Sequence, residues 1–259
     1  MSDLTAHHPM TRFTGLAEIY AKYRPTYSAA ALDLIMAACR LGPESLLVDV
    51  GCGTGIASRL FAQRGVPVIG VEPNADMRHR AAAEPPASEG RPPDYRDGCA
   101  EATHLPDQVA NVVLAAQAFH WFEPVRALRE FHRILKPGGW AVLMWNERDE
   151  SDSFTASYGK VIHSTPEGPR VEQEYGRVSN RLLGSDLFQA GRTEMFPHEQ
   201  SLTEEALLGR AFSASYAPRE PGAAEPFAAA LRAVFDQYQQ GGLVRLKYQT
   251  TVTLAQRRS

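Results

Sequence analysis

The sequence predicts an α/β fold: a doubly wound mixed sheet of seven strands, the last antiparallel, with helices on its faces and a helical cap. Three observations lead there. Short apolar runs alternate with helix-period segments between residues 46 and 145. That is the pattern of successive βαβ units, whose right-handed crossovers build a parallel sheet. A glycine-rich turn, Asp49-Val50-Gly51-Cys52-Gly53-Thr54-Gly55, joins the first apolar run to the next helix. Near the end, Gly241-Gly242 leads into Val244–Leu254, where polar and apolar residues partly alternate, as on the antiparallel side of a mixed sheet.

Each element follows from its local pattern. Residues 1–12 read as a tail. From Phe13 to Leu41 the apolar residues fall at helical spacing with Pro25 between, giving helices over 13–22 and 28–40, the second stopped by Gly42-Pro43. Leu46–Val50 is a buried parallel strand. A helix over 54–64 follows, with Gly65 as its C-cap. Val66–Val71 is the second strand and ends in Glu72; a helix covers 74–83, and Pro85–Pro93 is a Pro/Gly-rich surface loop. Tyr95–Cys99 and Ala110–Ala116 supply strands three and four. An amphipathic helix runs over 124–135, Lys136-Pro137-Gly138-Gly139 is a turn, and Trp140–Trp145 is strand five. The pattern changes after Asn146: helical stretches over 150–190, a sixth strand at Glu194–Ser201, then helices over 203–212 and 226–239. The expected organisation is an N-terminal helical lid (1–41), a ligand-binding core (42–148), a helical insertion (149–192), and a segment that completes the sheet and adds cap helices (193–259).

Composition narrows the function. The chain has 259 residues, 44% hydrophobic, with net charge −3. That is enough chain to bury a sizeable core. No cluster of Lys and Arg forms the basic stripe a duplex-binding surface needs, so no nucleic-acid partner is expected. Three widely spaced cysteines, Cys39, Cys52 and Cys99, form no CxxC pair and argue against a disulfide framework or structural zinc; no metal is expected. Met1–Pro9 lacks the apolar core of a signal peptide, and no run approaches the roughly 18 apolar residues of a membrane span. A cytoplasmic protein without a membrane partner, monomer or homodimer, is the expectation.

The glycine-rich turn is the strongest chemical signal. Glycines at every second position strip Cβ atoms from a tight strand-to-helix turn, so that a flat ligand can lie on bare backbone. In an open α/β sheet such a turn lies at the carboxyl edge of the strands, where ligands bind. A dinucleotide fingerprint, G-x-G-x-x-G/A, fails here because Ile56 occupies the third position counted from Gly51. Asp49 would oppose a pyrophosphate at the helix N-terminus. It suits instead a ligand carrying an ammonium and a sulfonium. Glu72, ending the second strand, suits a ribose diol.

These segments resemble class I S-adenosylmethionine (SAM)-dependent methyltransferases. Val48–Gly55 is similar to that family's first motif and Val71–Met77 to its second. The resemblance implies SAM as cofactor and S-adenosylhomocysteine (SAH) as product, in a Rossmann-like core. It implies that Glu72 binds the ribose hydroxyls and that Met77 flanks the adenine, with Pro73 also in contact with the cofactor. Gly98-Cys99-Ala100-Glu101 resembles the segment at the adenine edge. Ala116-Gln117-Ala118-Phe119-His120-Trp121-Phe122 resembles the segment beside the methionine part, and Leu135–Gly139 the turn into strand five. Tyr20–Pro25, Ser213–Pro218 and Tyr248-Gln249-Thr250 resemble a small-molecule subgroup similar to the trans-aconitate enzyme. The cofactor-binding set is therefore Tyr20, Arg24, Asp49, Gly51, Gly53, Gly55, Glu72, Pro73, Met77, Ala100, Glu101, Gln117, Ala118 and Trp121.

Methyl transfer from a sulfonium is an in-line displacement in which alignment can contribute about 7–11 kcal/mol. His120 is the candidate general base, with a side-chain type that titrates in the right range; alternatively His120 and Trp121 wall the pocket. Arg24 could pair with the cofactor carboxylate if the first helix folds over the site. Phe119, Phe122, Asn146 and Tyr216 are expected in the acceptor pocket. The Asn/Asp-Pro-Pro-aromatic motif of base-amino methylation is missing after strand four, as are the paired glutamates of arginine methylation, which leaves a small-molecule acceptor. A catalytically idle SAM- or SAH-binding protein and an NAD-dependent dehydrogenase are the competing readings.

Overall fold

A computed structural model describes residues 15–85, 91–165 and 179–259. The expected tail, part of the Pro85–Pro93 loop, and residues 166–178 of the expected insertion lie outside them. In chain order the elements are α1 (Ala17–Tyr23), α2 (Ala29–Ala38), β1 (Leu47–Val50), α3 (Ile56–Ala62), β2 (Val68–Val71), α4 (Ala75–Ala83), β3 (Asp94–Arg96) and β4 (Ala110–Ala116). After a 3-10 turn at Phe119–Trp121 come α5 (Pro124–Ile134), β5 (Leu135–Arg148), α6 (Ser153–His163), β6 (Phe188–Leu202), α7 (Glu204–Phe212), α8 (Pro221–Tyr238) and β7 (Val244–Arg257).

The seven strands form one sheet in the order β3-β2-β1-β4-β5-β7-β6. β1 pairs in parallel with β2 and β4, and β4 with β5; β7 is antiparallel to both β5 and β6. Strand order reverses at β1/β4, the point where open α/β sheets bind ligands. Period-2 alternation sorts the strand residues onto two buried faces. Val48, Val50, Val71, Val113, Ala115, Leu143 and Trp145 face α5 and its Phe131. Leu47, Val68, Val112, Leu114, Val142 and Met144 face α2 and α3, with Leu32, Ile35 and Phe61. A third cluster unites α6, α7, α8 and the start of β7 through Tyr158, Leu207, Leu231, Phe235 and Leu246, forming the cap.

β3 is Asp94–Arg96, ending short of the expected Tyr95–Cys99, and three further differences from expectation have a clear cause. The Lys136–Gly139 turn lies inside β5, because Leu135 already pairs with Ala110; the turn survives as a register shift with Gly138 at φ +75°. α8 begins at Pro221, the first-turn position where a missing N–H costs nothing, and continues through Pro226, which the sequence reading took as its start. β6 and β7 extend beyond their expected limits because they pair with each other along most of their length.

Candidate functional site

A cavity of about 650 Å³ opens at the carboxyl ends of β1, β2 and β4. Its walls bring together residues far apart in sequence. From the first turn come Asp49, Gly51, Cys52, Gly53 and Thr54; from the end of β2, Glu72 and Pro73, then Met77 on α4; from the loop after β3, Cys99, Ala100 and Glu101. The far wall is Gln117, Ala118, Trp121 and Phe122, and Tyr20 and Tyr27 form the roof. Twelve of the fourteen expected cofactor residues thus share one cavity; Arg24 and Gly55 do not line it.

The three glycines have separate reasons. All adopt positive φ (+69°, +56° and +75° at Gly51, Gly53 and Gly55). A Cβ on Gly51 would lie 2.8 Å from the Ala118 Cβ, and one on Gly55 would run into the Tyr95 hydroxyl; one on Gly53 would meet nothing within 4 Å. Only Gly53 presents open bare backbone. Gly55 is a packing glycine, which corrects its expected contact with ligand.

Two buried carboxylates face the cavity. Asp49 accepts a 2.6 Å hydrogen bond from the Ser58 hydroxyl through Oδ2, while Oδ1 is buried without a partner. Burial raises its carboxyl to about 7, and neighbouring Glu72 adds to the rise. Glu72 accepts the Gly53 N–H at Oε2 and the Asn74 N–H at Oε1, both at 2.9 Å, and its carboxyl is also raised by burial. Each Glu72 oxygen keeps a lone pair for a ligand hydroxyl. The Thr54 hydroxyl, lining the cavity, is likewise buried without a partner. An orphaned acceptor, an orphaned hydroxyl, a glycine open to space and a two-oxygen carboxylate fit a ligand with a cationic amine and a ribose diol.

The loop after β3 is held from below. Glu130 Oε1 accepts the Thr103 N–H at 2.8 Å and the Thr103 hydroxyl at 2.6 Å, and Arg133 binds both oxygens of Glu130. Glu101 Oε1 takes the N–H of Glu123, the residue that caps α5. Gln117 sits at φ +56°, a conformation non-glycine residues rarely adopt, and its Nε2 donates to the Asn146 carbonyl at 3.2 Å.

Several expected contacts move. Arg24 stacks its guanidinium 4.6 Å over the ring of the roof residue Tyr20, and its Nη2 donates to the Ser213 carbonyl at 3.2 Å. His120 is buried beside Trp121, ring centroids 4.6 Å apart, and does not line the cavity. The short 3-10 turn leaves Trp121, and Phe122 just after it, on the cavity lining and buries His120 behind them. Phe119 is fully buried, edge-on to Phe122 and Phe131, so it belongs to the core and not to an acceptor pocket. Asn146 is committed to structure: its Nδ2 donates to the Thr26 carbonyl (2.7 Å) and its Oδ1 accepts from the Thr250 hydroxyl (2.6 Å). Tyr216 packs against the cap cluster, outside the cavity lining. The sequence reading missed Thr54, Tyr27, Cys99, Glu123 and Arg126. Thr54 and Cys99 stood inside segments already singled out; the others line the cavity only because separate parts of the chain fold onto it. Among the described residues, no three His, Cys, Asp or Glu side chains gather as a metal site would require, and no helix is long and apolar enough to cross a membrane.

A mixed seven-stranded sheet with its ligand cavity at the β1/β4 switch defines a Rossmann-like, class I methyltransferase architecture. Residues 48–143 match the family described as "Methyltransferase domain". An uncharacterized methyltransferase of Mycobacterium tuberculosis is 31% identical over 203 residues, covering 78% of this chain and 76% of the relative. A ubiquinone biosynthesis O-methyltransferase of Pseudomonas paraeruginosa is 28% identical over 67% of this chain and 78% of its own. Among solved structures, a candidate type II methyltransferase from Anaeromyxobacter dehalogenans superposes with a TM-score of 0.63 at 25% identity, covering 91% of this chain and 98% of that one. The phosphoethanolamine N-methyltransferase 2 of Haemonchus contortus, solved with SAM, shares the fold at a TM-score of 0.58 and 14% identity, over 100% of this chain and 61% of that one. The chain belongs to the class I SAM-dependent methyltransferases.

Proposed function

We propose that this enzyme transfers the methyl group of SAM to a small-molecule acceptor. The observation that carries the reading is the roof. α1 and the residues after it place Tyr20 and Tyr27 on the cavity lining, beside space for a compact acceptor next to a nucleoside-sized cofactor. One similar protein is named for O-methylation in ubiquinone biosynthesis, an acceptor that is neither nucleic acid nor protein.

SAM supplies an electrophilic methyl on a sulfonium, so the chain's own task is to bind, align and exclude water. Glu72 receives the ribose hydroxyls, and Asp49 Oδ1 receives the ammonium of the methionine part. Pro73, Met77, Ala100 and Glu101 enclose the adenine. Gln117, Ala118, Trp121 and Phe122 line the methionine end, where the aromatic faces favour a cation. Arg24, stacked on Tyr20, is held on the Ser213 carbonyl and reaches the cofactor carboxylate by exchanging that bond. His120 lies behind this wall and reaches an acceptor proton only through its neighbours. The lid (1–41), the core (42–148) and the cap segments divide the work: the core holds the donor, and the lid and cap choose the acceptor.

The test is turnover with methyl-labelled SAM over a metabolite panel, together with calorimetric titration of SAM and SAH. Label transfer to a small acceptor is expected. SAH binding without any transfer would favour an idle binder, and NADH binding without SAM or SAH binding would overturn the reading. Glu72→Ala should weaken SAH binding by at least tenfold, since a charge-assisted bond to a buried carboxylate is worth roughly 1.5–3 kcal/mol; unchanged affinity removes Glu72 from the ribose.

A further inference from the structure

One cation on the cavity wall has nothing to hold. Arg126, the third residue of α5, lines the cavity from the β4 side. Among the described residues its guanidinium has no hydrogen-bond acceptor, no carboxylate within ion-pair distance and no aromatic ring beneath it; only its backbone N–H is engaged, by Glu123 Oε2 at 2.7 Å. The acids near the start of α5 are already committed. Glu123 uses its two oxygens on the N–H groups of Val125 and Arg126, and Glu101 Oε1 holds the Glu123 N–H. Glu130, one turn further on, is bound by Arg133 and Thr103.

The position also works against a cation. The first turn of a helix carries partial positive charge from its unsatisfied N–H groups, so an arginine there meets repulsion. Side chains on a helix lean toward its N-terminus, and Arg126 follows Glu123 by one turn, so it extends over the end of α5 where Phe122 and Glu123 line the cavity. A long cation set against the helix field, with no acid of its own and directed at a cavity, is explained by a ligand better than by the fold.

A backbone tie fixes which end of the cavity this is. The bond from the Glu123 N–H to Glu101, 2.8 Å long, holds the start of α5 against the loop after β3, where Ala100 and Glu101 line the cavity. Met77 enters from α4, which follows β2 on one side of β1, while α5 follows β4 on the other. A flat ring between them meets a thioether from one side and a planar cation from the other, and both are favourable partners for an aromatic system. We propose that Arg126 is a cofactor-specificity residue: its guanidinium lies over the purine of the bound cofactor and closes the adenine end of the cavity from the α5 side. The proposal rests on the methyltransferase reading and adds to it a residue outside the glycine turn and the strand-end acids. Adenine is neutral, so the contact depends on the plane of the guanidinium as well as its charge.

The test is calorimetric titration of the full-length protein with SAH, methylthioadenosine and adenosine, the last two being neutral and lacking the amino-acid end. Arg126→Ala should weaken all three by a similar factor, about fivefold. The melting temperature of the ligand-free variant should hold or rise, because a cation has left the helix N-terminus. Arg126→Lys keeps the charge without the plane, and should restore only part of the adenosine affinity. Weakening of SAH alone, with both nucleosides unmoved, would make Arg126 a partner of the amino-acid end and overturn the proposal. So would unchanged affinity for all three, a lower melting temperature for ligand-free Arg126→Ala, full recovery by lysine, or a wild type that binds SAH but neither nucleoside. A wild type that binds no SAH would instead overturn the methyltransferase reading, so the two failures are separable.

Discussion

At the residue scale, the first turn separates three glycines that look alike in sequence. Gly53→Ala places a methyl in open space at φ +56° and costs about 1–2 kcal/mol of backbone strain, while crowding the face a ligand would use. Gly55→Ala adds a collision with Tyr95 to the same strain, and should cost about 2–4 kcal/mol. Thermal unfolding should therefore fall further for Gly55→Ala, and SAH affinity measured on the folded protein should fall further for Gly53→Ala; the reverse ranking would refute the assignment. Asp49 gives a second expectation. Its carboxyl sits near 7 in the folded apoprotein, against 3.8 ordinarily, so the stability it lends is present at low pH and is lost as pH rises toward 7. A cationic ligand needs the ionised form. SAH affinity should thus rise by up to about tenfold per pH unit between 5.5 and 7, then level, with one proton released on binding. Asp49→Asn should flatten that profile, and a flat wild-type profile would remove Asp49 from the ammonium site. The motif residues Asp49, Gly53 and Glu72 were legible because their chemistry is local: a turn, a strand end, an acid. The packing roles of Gly51 and Gly55 were hidden, because Ala118 and Phe122 arrive from the loop after β4 and Tyr95 from β3.

At the element scale, the strands announced themselves and their ends did not. A buried parallel strand reads as a near-continuous apolar run, and β2 is one, as are β1 apart from Asp49 and β4 apart from Asn111. The length of β5 was obscured by Pro137-Gly138-Gly139, a turn signal that tertiary pairing absorbed as a bulge. Phe119 and Asn146 show the same limit in side chains. Phe119 follows the end of β4 and Asn146 stands near the end of β5, where sequence position alone suggests a pocket, yet Phe119 turns into the core beneath α5. Asn146 instead links three elements. It binds the Thr26 carbonyl between α1 and α2 and the Thr250 hydroxyl on β7, and that hydroxyl in turn accepts the Ser28 N–H at 3.2 Å. Asn146→Ala leaves the buried Thr26 carbonyl and Thr250 hydroxyl short of partners, a loss of about 2–4 kcal/mol. The loss should concentrate in the 20–28 segment, seen as earlier proteolysis and faster amide exchange there than in α5. Uniform destabilisation across the sheet would mean that Asn146 is ordinary core.

At the scale of the whole molecule, α1 is the piece that joins the methyl-donor cavity to the cap. On one side it meets α4, through an Arg80–Glu18 ion pair and a bond from the Gly15 N–H to Asp76. On the other it meets α7, where Lys22 and the Tyr23 hydroxyl share Glu205 Oε1 and Arg24 reaches Ser213. These α1 contacts are mostly exposed and polar, and salt screens such pairs, so each contributes little to stability. A seven-residue helix held this way is an element that can open while the sheet stays folded. The cavity lies beneath α1, so the proposal that SAM binds there predicts that cofactor binding and α1 seating are linked. Binding to the seated form protects α1 in proportion to the ligand's preference for that form. Hydrogen exchange should therefore slow in residues 17–24 on adding SAH, and in the part of α7 that holds Glu205 and Arg210, with little change in α8 on the far side of the cap. Glu205→Ala removes the shared acceptor and should speed SAH release, read by stopped-flow, with a smaller effect on melting temperature. Equal protection of α8 and α1, or an SAH off-rate unmoved by Glu205→Ala, would show that α1 is fixed scaffold and that ligand enters by another route.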